Sequence, residues 1–119
     1  MIKIELKGMN QALDFVKKKS KEAEKLVNTG IKNATLHITN EVKESIAGNR
    51  PELRSVDTGR FLNSITPDVK NGVVSSSVPY SVFLEYGTVK FQGRKHFQNT
   101  ANREKDKVKR IIQTEVNKL

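Results

Sequence analysis

The most extended pattern in the chain is a stripe of apolar residues that recurs at steps of three, four and seven positions. The stripe consists of Met9, Ala12, Val16, Ala23, Val27, Ile31, Ala34, Ile38, Val42 and Ile46. This spacing predicts one amphipathic helix over residues 10–47, which Gly48 and Pro51 terminate. An unbroken helix of that length would measure roughly 55 Å, which is longer than a single globular domain of this size is wide. We therefore expect either a kink at Thr29-Gly30 or packing of part of the helix on another chain.

Shorter patterns predict a small sheet. Residues 2–7 alternate apolar and charged side chains, which is typical of a strand with one buried face. Two segments that favour strand, 64–69 and 73–78, flank Asn71-Gly72, and this dipeptide predicts a tight hairpin because both central turn positions need positive φ. Pro67 cannot donate to a strand ladder, so its strand is expected at a sheet edge or at a bulge. The pattern leaves open which strand pairs with residues 2–7.

Three further segments complete the predicted fold. Residues 57–63 are expected to form a short helix that Asp57 or Thr58 caps, and residues 80–88 to form a short helix or turn that Gly87 closes. Residues 89–95 are expected to form a mobile loop. A second apolar stripe, at positions 97, 101, 108, 112, 116 and 119, predicts a terminal helix. The predicted fold class is α+β, a single domain over 1–119 in which a long N-terminal helix and a C-terminal helix pack on a small, mostly antiparallel sheet.

The charge of the chain is strongly positive, with 22 Lys and Arg against 13 Asp and Glu, a net charge of +9. Residues 90–119 hold 9 of the basic and 3 of the acidic side chains, and therefore +6 of that total. This helix would present a basic face to solvent, to an acidic protein or to a nucleic acid. The face would consist of Arg103, Lys105, Lys107, Lys109 and Arg110. No apolar segment approaches the ~20 residues that span a bilayer, so no membrane partner is expected.

The chain offers few groups for catalysis or metal binding. It has no cysteine, and its two histidines, His37 and His96, lack metal-ligand spacing. We expect a packing or surface role for His37 and a helix-cap or loop role for His96. Asp57 is expected to cap a helix and Glu85 to pair with Arg60. No catalytic residue, cofactor or metal site is predicted, and a small nuclease that uses these two acids is the enzymatic alternative.

Three segments taken in order are more specific than any of these patterns. They are Val56-Asp57-Thr58-Gly59-Arg60-Phe61-Leu62-Asn63-Ser64-Ile65, then Tyr80-Ser81-Val82-Phe83-Leu84-Glu85-Tyr86-Gly87-Thr88, then His96-Phe97. In this order they resemble the tailed-phage gene-product-ten-like family of minor neck and tail-completion proteins. That family shows V-D-T-G-R-L-x-x-S-I, Y-x-x-x-x-E-x-G-T and P-x-P-F-L stretches. The positions that match are Asp57, Thr58, Gly59, Arg60, Ser64, Ile65, Tyr80, Glu85, Gly87, Thr88 and Phe97. Phe61 stands where the family has leucine, and His96-Phe97-Gln98 replaces proline-phenylalanine-leucine.

The resemblance implies a structural role in virion assembly, without catalysis and without a cofactor. Proteins of this family join or complete the interface between the DNA-filled head and the tail, commonly as a ring around the DNA channel. The implied partners are other neck, tail and connector proteins, further copies of this chain, and acidic subunits or DNA at the basic helix. The implied location is the virion of a phage or prophage, after synthesis in the host cytoplasm. The charge of residues 90–119 supports a small nucleic-acid-binding protein as the alternative.

Overall fold

A computed structural model describes residues 2–5, 21–56 and 59–118. Its elements in chain order are strand β1 (Ile2–Glu5), helix α1 (Lys21–Ala47), short helix α2 (Arg60–Asn63), strands β2 (Ile65–Asp68) and β3 (Val73–Ser76), short helix α3 (Ser81–Tyr86) and helix α4 (His96–Val116). The predicted α+β class, with two long helices against a small antiparallel sheet, is confirmed. The helix predicted over residues 10–20 and the caps predicted at Asp57 and Thr58 lie outside the described residues.

The sheet has the strand order β1-β3-β2, and both pairs are antiparallel. The partner of β1 is therefore β3, the central strand. Ile2, Ser76 and Ile65 lie side by side across the three strands and share the buried face. Pro67 lies on β2, which is an edge strand as predicted, because only an edge strand tolerates a residue that cannot donate to the ladder.

Helix α1 provides most of the core. Every apolar residue of the predicted stripe from position 23 to position 46 is buried. The residues in its second half, which face the sheet and α4, are at most 1% exposed: Ala34, Ile38, Val42 and Ile46. Spacing by four keeps these side chains on one face, so a single stripe serves both the helix–helix and the helix–sheet contact.

Helix α1 continues without interruption through Thr29-Gly30, where a kink was one of the two expected alternatives. Gly30 instead lets α4 approach closely: a Cβ at this position would lie 3.1 Å from the Cα of Ile112. The helix is accommodated by an elongated molecule of 53 × 23 × 22 Å. Its radius of gyration of 15.7 Å exceeds the about 13.5 Å expected for a compact chain of this length. Within the described residues, no helix is both long and apolar enough to cross a membrane.

The predicted hairpin joins β2 and β3, but its turn differs from the predicted one. The connection spans residues 69–72, and Gly72 alone has a positive φ there, at 67°. Asn71 keeps a negative φ and donates to the Asp68 carboxylate from both its backbone N–H and its side-chain amide, at 3.3 and 2.8 Å. These bonds close a longer loop, so the second positive φ of a two-residue turn is not needed.

Candidate interaction site

The three motif segments of the sequence come together in the fold. The ring of Phe61, on α2, lies 6.3 Å from the ring of Tyr80 and 6.2 Å from the ring of His96, measured between centroids. Ser64 donates from Oγ to the carbonyl of Phe61 at 2.6 Å, which closes the short helix. Phe97 is buried in the core. Residues 59–65, 80–88 and 96–97 therefore form one contiguous unit, which we call the motif unit.

Glu85 fixes the start of α4. It is 3% exposed, and its two carboxylate oxygens each accept a backbone N–H at 2.8 Å, from Phe97 and from Gln98. These amides belong to the first turn of α4 and have no acceptor within their own helix. The negative carboxylate also lies at the positive end of the helix dipole. The predicted pair between Arg60 and Glu85 is not formed; the Arg60 guanidinium lies over the ring of Tyr80, 5.8 Å from its centroid.

Replacing Glu85 by glutamine is expected to lower the free energy of unfolding by about 2 kcal/mol. Glutamine keeps the shape but offers one carbonyl oxygen where the carboxylate offers two, so one of the two buried amides of α4 loses its acceptor. Urea unfolding followed by circular dichroism measures the change. Asp106→Asn is the control, because Asp106 is exposed on the same helix and its replacement should change stability by less than about 0.5 kcal/mol. Equal effects of the two substitutions would refute the capping role.

The segment predicted as a mobile loop, 89–95, is folded back onto α3 by hydrogen bonds. Thr88 N donates to the carbonyl of Phe91 at 2.9 Å, and Arg94 N donates to the carbonyl of Leu84 at 2.7 Å. Residues 87 and 92 form an isolated β-bridge. As predicted, residues 89–95 form neither a helix nor a strand of the sheet, but the composition of the segment does not reveal its bonds to the carbonyl groups of Leu84 and Glu85 on α3. We call residues 87–93 the glycine turn, because Gly87 and Gly93 stand at its two ends.

His96 is the first residue of α4, in the cap region as predicted, and is completely buried. Its Nδ1 and Nε2 atoms each lie 2.7 Å from a hydroxyl, that of Ser45 on α1 and that of Ser55 respectively. The Ser45 hydroxyl in turn donates to Glu52 Oε1 at 2.6 Å. Because the Ser45 proton goes to Glu52, Nδ1 carries the imidazole proton and Nε2 accepts from Ser55. Burial lowers the pKa of His96 to about 4, so the ring is neutral at pH 7.

Glu52 is the charged end of this buried chain of hydrogen bonds. Arg103 on α4 donates to both of its carboxylate oxygens, at 3.1 and 3.2 Å, and Asn99 donates at 3.3 Å. Burial raises the pKa of the Glu52 carboxyl, but the hydrogen bonds from Arg103, Ser45 and Asn99 outweigh it and hold the pKa below its ordinary value. The loop before α2 is thereby attached to α1 and α4. Ser45, Glu52 and Ser55 were not predicted as site residues, and no local pattern distinguishes them from surface polar residues.

A pocket with a volume of about 590 Å³ opens beside Ser55. We call it the arginine pocket, because Arg54, Arg60 and Arg94 line it together with Tyr80. Its remaining lining is largely apolar and consists of Val56, Phe61 and Leu84, with Ser55 and Gly59. Arg60 and Phe61 belong to the first motif segment, and Tyr80 and Leu84 belong to the second. The pocket therefore lies where these two segments meet, and Arg94, just before α4, completes it.

Large apolar side chains are exposed on α3 and the glycine turn. Phe83 is 56% exposed, Tyr86 65%, and Val89 and Phe91 project from the turn with 104% and 41%. We call these four residues the aromatic patch. A run of exposed aromatic and aliphatic side chains within nine positions indicates an interaction surface more than it indicates a solvated loop.

The basic face predicted on α4 is divided in the fold. Lys105, Lys107, Lys109 and Arg110 are exposed. Arg103 differs, because its guanidinium reaches the buried Glu52. The two acids within the basic run differ as well: Asp106 is exposed, and Glu104 contacts Nε2 of His37 on α1 at 3.1 Å.

His37, Glu41 and Glu104 are the one group of three that could hold a metal ion among the described residues, with ligand atoms within 4.8 Å of one another. Glu41 already accepts two hydrogen bonds from Arg50, at 2.8 and 3.0 Å. These bonds hold the pKa of Glu41 below its ordinary value despite its burial. The arrangement therefore consists of the Arg50–Glu41 ion pair beside the His37–Glu104 hydrogen bond, and the Glu41 carboxylate that a metal would need is occupied.

Comparison of the chain with protein-family models, with curated proteins and with solved structures finds no match. The family resemblance therefore depends on the motif residues themselves and on how the fold arranges them.

Proposed function

We propose that the chain is a structural protein of the tailed-phage head–tail connector, a neck or tail-completion protein that assembles through protein–protein contacts. The observation that carries the proposal is the motif unit. Phe61 meets Tyr80 and His96, which follow it by 19 and 35 positions, and Glu85 of the second segment caps the helix that the third segment begins. Motifs that matched the family by chance would have no physical reason to depend on one another in this way.

The contrast between buried and exposed residues within the motif unit also supports an assembly role. Glu85, Phe97 and Ile65 are buried and hold the elements together. Phe83 and Tyr86, which flank the buried Glu85 in the sequence of α3, are exposed to a partner. Rigid, exposed aromatic side chains on a short helix are efficient contact residues, because they bury much area at little entropic cost.

The proposed assembly is a ring of copies around the DNA channel, in contact with other neck and tail proteins of the virion. A ring requires heterologous contacts, in which one face of a subunit meets a different face of the next. The chain offers two chemically different faces, the aromatic patch and the basic residues of α4. We place acidic protein surfaces before DNA as partners of the basic residues, since a channel that bound DNA tightly would obstruct its passage.

Removing the protein from the phage or prophage is expected to block the joining of heads to tails, so that electron microscopy shows separate heads and tails. Complementation with the unmodified chain restores infectious particles. The double variant Phe83→Ala, Tyr86→Ala is expected to restore at least about tenfold fewer, because two interface aromatics are truncated. Leu36→Ala is the matched control, since Leu36 is 43% exposed on α1, outside the aromatic patch. Normal yields of tailed, infectious particles without the protein would refute the proposed function.

The alternative, a small nucleic-acid-binding protein, is supported by the four exposed basic residues of α4. Binding of duplex DNA through Lys105, Lys107, Lys109 and Arg110 would weaken steeply with salt, with a slope of about −0.9 per neutralised phosphate in a log–log plot. A DNA titration at several salt concentrations separates the two functions. Steep salt dependence that is lost when these residues are changed to glutamine favours the alternative, and absence of binding at low salt removes it.

A further inference from the structure

We propose that the arginine pocket binds an acidic peptide segment, one that presents a carboxylate next to an apolar side chain. The inference rests on the proposed function only for the source of that segment, a neighbouring virion protein. The chemistry of the pocket itself follows from its charge, its preorganisation and its apolar lining.

The positive charge of the pocket is concentrated, because three guanidinium groups line a single cavity. Among the described residues, the side chain of Arg94 donates to neutral acceptors: the carbonyl of Arg54 at 2.8 Å and the hydroxyl of Ser55 at 3.1 Å. Arg54 donates to the carbonyl of Val56 at 3.4 Å, a long contact. No carboxylate of a described residue lies within 4 Å of the guanidinium of Arg54 or Arg94. Planar guanidinium groups match a carboxylate in geometry as well as in charge.

The pocket is preorganised by the buried hydrogen bonds beneath it. The hydroxyl of Ser55 is held by Nε2 of His96, which Ser45 and Glu52 orient in turn. The backbone of Arg94 is fixed by its bond to the carbonyl of Leu84. Because both the backbone and the guanidinium of Arg94 are already ordered, binding of a ligand costs this side chain little conformational entropy.

The apolar lining decides between an acidic peptide and a nucleic acid. Phe61 and Leu84 contribute to the lining, and Tyr80 adds a ring that is 37% exposed with Arg60 above it. A nucleic acid combines phosphates with bases, but a base stacks on an open aromatic face, whereas Phe61 is 4% exposed and one face of Tyr80 is covered by Arg60. The aliphatic side chains of Val56 and Leu84 suit an apolar peptide side chain instead. The volume of about 590 Å³ lies within the range of roughly 300–1,000 Å³ found for ligand pockets. A short side-chain-bearing segment, rather than a single ion, therefore fits the cavity.

The test uses the full chain, labelled with ¹⁵N, and the acetylated, amidated tetrapeptide Phe-Glu-Leu-Glu. Titration followed by heteronuclear NMR is expected to show saturable shifts at Ser55, Tyr80 and Arg94, with binding in the range of about 1 mM or tighter. The matched peptide Phe-Gln-Leu-Gln is expected to bind at least about tenfold more weakly, because it lacks the carboxylates that pair with the guanidinium groups. Equal binding of the two peptides would refute the charge argument.

Two variants locate the site. Arg94→Gln and Arg54→Gln are each expected to weaken binding of the acidic peptide about tenfold. Arg110→Gln, which removes an exposed guanidinium elsewhere on α4, is expected to change it less than about twofold. Arg54 is exposed and its removal leaves the buried network intact, so this variant decides the question if Arg94→Gln alters the fold.

Three outcomes overturn the proposal: no saturation by the acidic peptide, unchanged affinity in Arg54→Gln, or tighter binding of a ten-nucleotide oligothymidine at the same residues. The last would assign the pocket to a nucleic acid. Because the test needs only the isolated chain and synthetic peptides, its failure leaves the assembly role of the aromatic patch untouched. Conversely, if the chain binds the peptide but phage assembly does not require the chain, the proposed function is refuted and the peptide-binding role of the arginine pocket stands.

Discussion

Lowering the pH from 7 to 4.5 is expected to reduce the free energy of unfolding by about 2 kcal/mol, through His96 alone. The imidazole is completely buried, and burial lowers its pKa from 6.5 to about 4. The charge of Glu52 opposes this shift and that of Arg94 adds to it. In the unfolded chain the ring binds a proton as the pH falls below 6.5, whereas in the folded protein it does so only near pH 4.

The sign of the effect follows from proton binding. Between pH 6.5 and pH 4 the unfolded chain holds more protons on this residue than the folded one, so acid favours unfolding. The contribution of His96 is fully present above pH 6.5 and is lost as the pH falls toward 4. Glu41, Glu52 and Asp68, whose pKa values are lowered, add a loss of the same sign, which begins about one pH unit above their ordinary pKa values and grows at lower pH. Comparison with a variant that lacks His96 therefore separates the histidine from these carboxyls.

Urea unfolding at several pH values measures this dependence. His96→Gln is expected to remove most of it between pH 6.5 and 4.5, because glutamine does not titrate. His37→Gln, which replaces the other of the two histidines in the chain, is the comparison variant. An NMR titration of the His96 ring in the unmodified protein supplies a check that needs no folded variant. A midpoint near 6.5, or a change in stability below about 0.5 kcal/mol over this interval, would contradict the buried, neutral imidazole.

The parts of the fold that could be predicted are those in which the local sequence pattern favours the same backbone conformation or burial that the tertiary structure requires. The stripe on α1 is buried along its described length because burial of one helix face demands that spacing. Gly48, with a φ of 91°, ends α1 where predicted, and Pro67 lies on an edge strand. In each case the residue type itself restricts the backbone, so no knowledge of distant contacts was necessary.

The candidate site could not be predicted to the same extent, because its contacts join residues that are far apart in the sequence. His96 meets Ser45 and Ser55, which precede it by 51 and 41 positions. Glu85 was recognised as important from the resemblance, but its partner was predicted to be Arg60 on the basis of opposite charge. In the fold it accepts backbone N–H groups instead. Sequence patterns indicate that a carboxylate needs partners; they do not show whether a side chain or a helix end supplies them.

Replacing Gly93 by alanine is expected to cost about 3 kcal/mol or more of folding free energy and to lower the midpoint of thermal unfolding by about 10 °C. A Cβ at this position would overlap the carbonyl oxygen of Glu85 and lie 2.6 Å from the carbonyl carbon of Tyr86 and 2.8 Å from the nitrogen of Gly87. All three are backbone atoms, which cannot rotate away as a side chain does. The glycine turn would have to separate from α3, and this would strain the hydrogen bonds that the backbone of Arg94 and its neighbour make to α3.

Gly59→Ala provides the control for this substitution. Gly59 has a φ of 83°, but the nearest atom to an added Cβ is the Asn63 side chain at 3.4 Å, so only the left-handed backbone is penalised, at about 1 kcal/mol. Thermal unfolding followed by circular dichroism compares the two variants. A Gly93→Ala protein as stable as Gly59→Ala would mean that the turn moves away from α3 at little cost. Val89, Phe91 and Arg94 would then not be held in fixed positions, and neither the aromatic patch nor the arginine pocket would be preorganised.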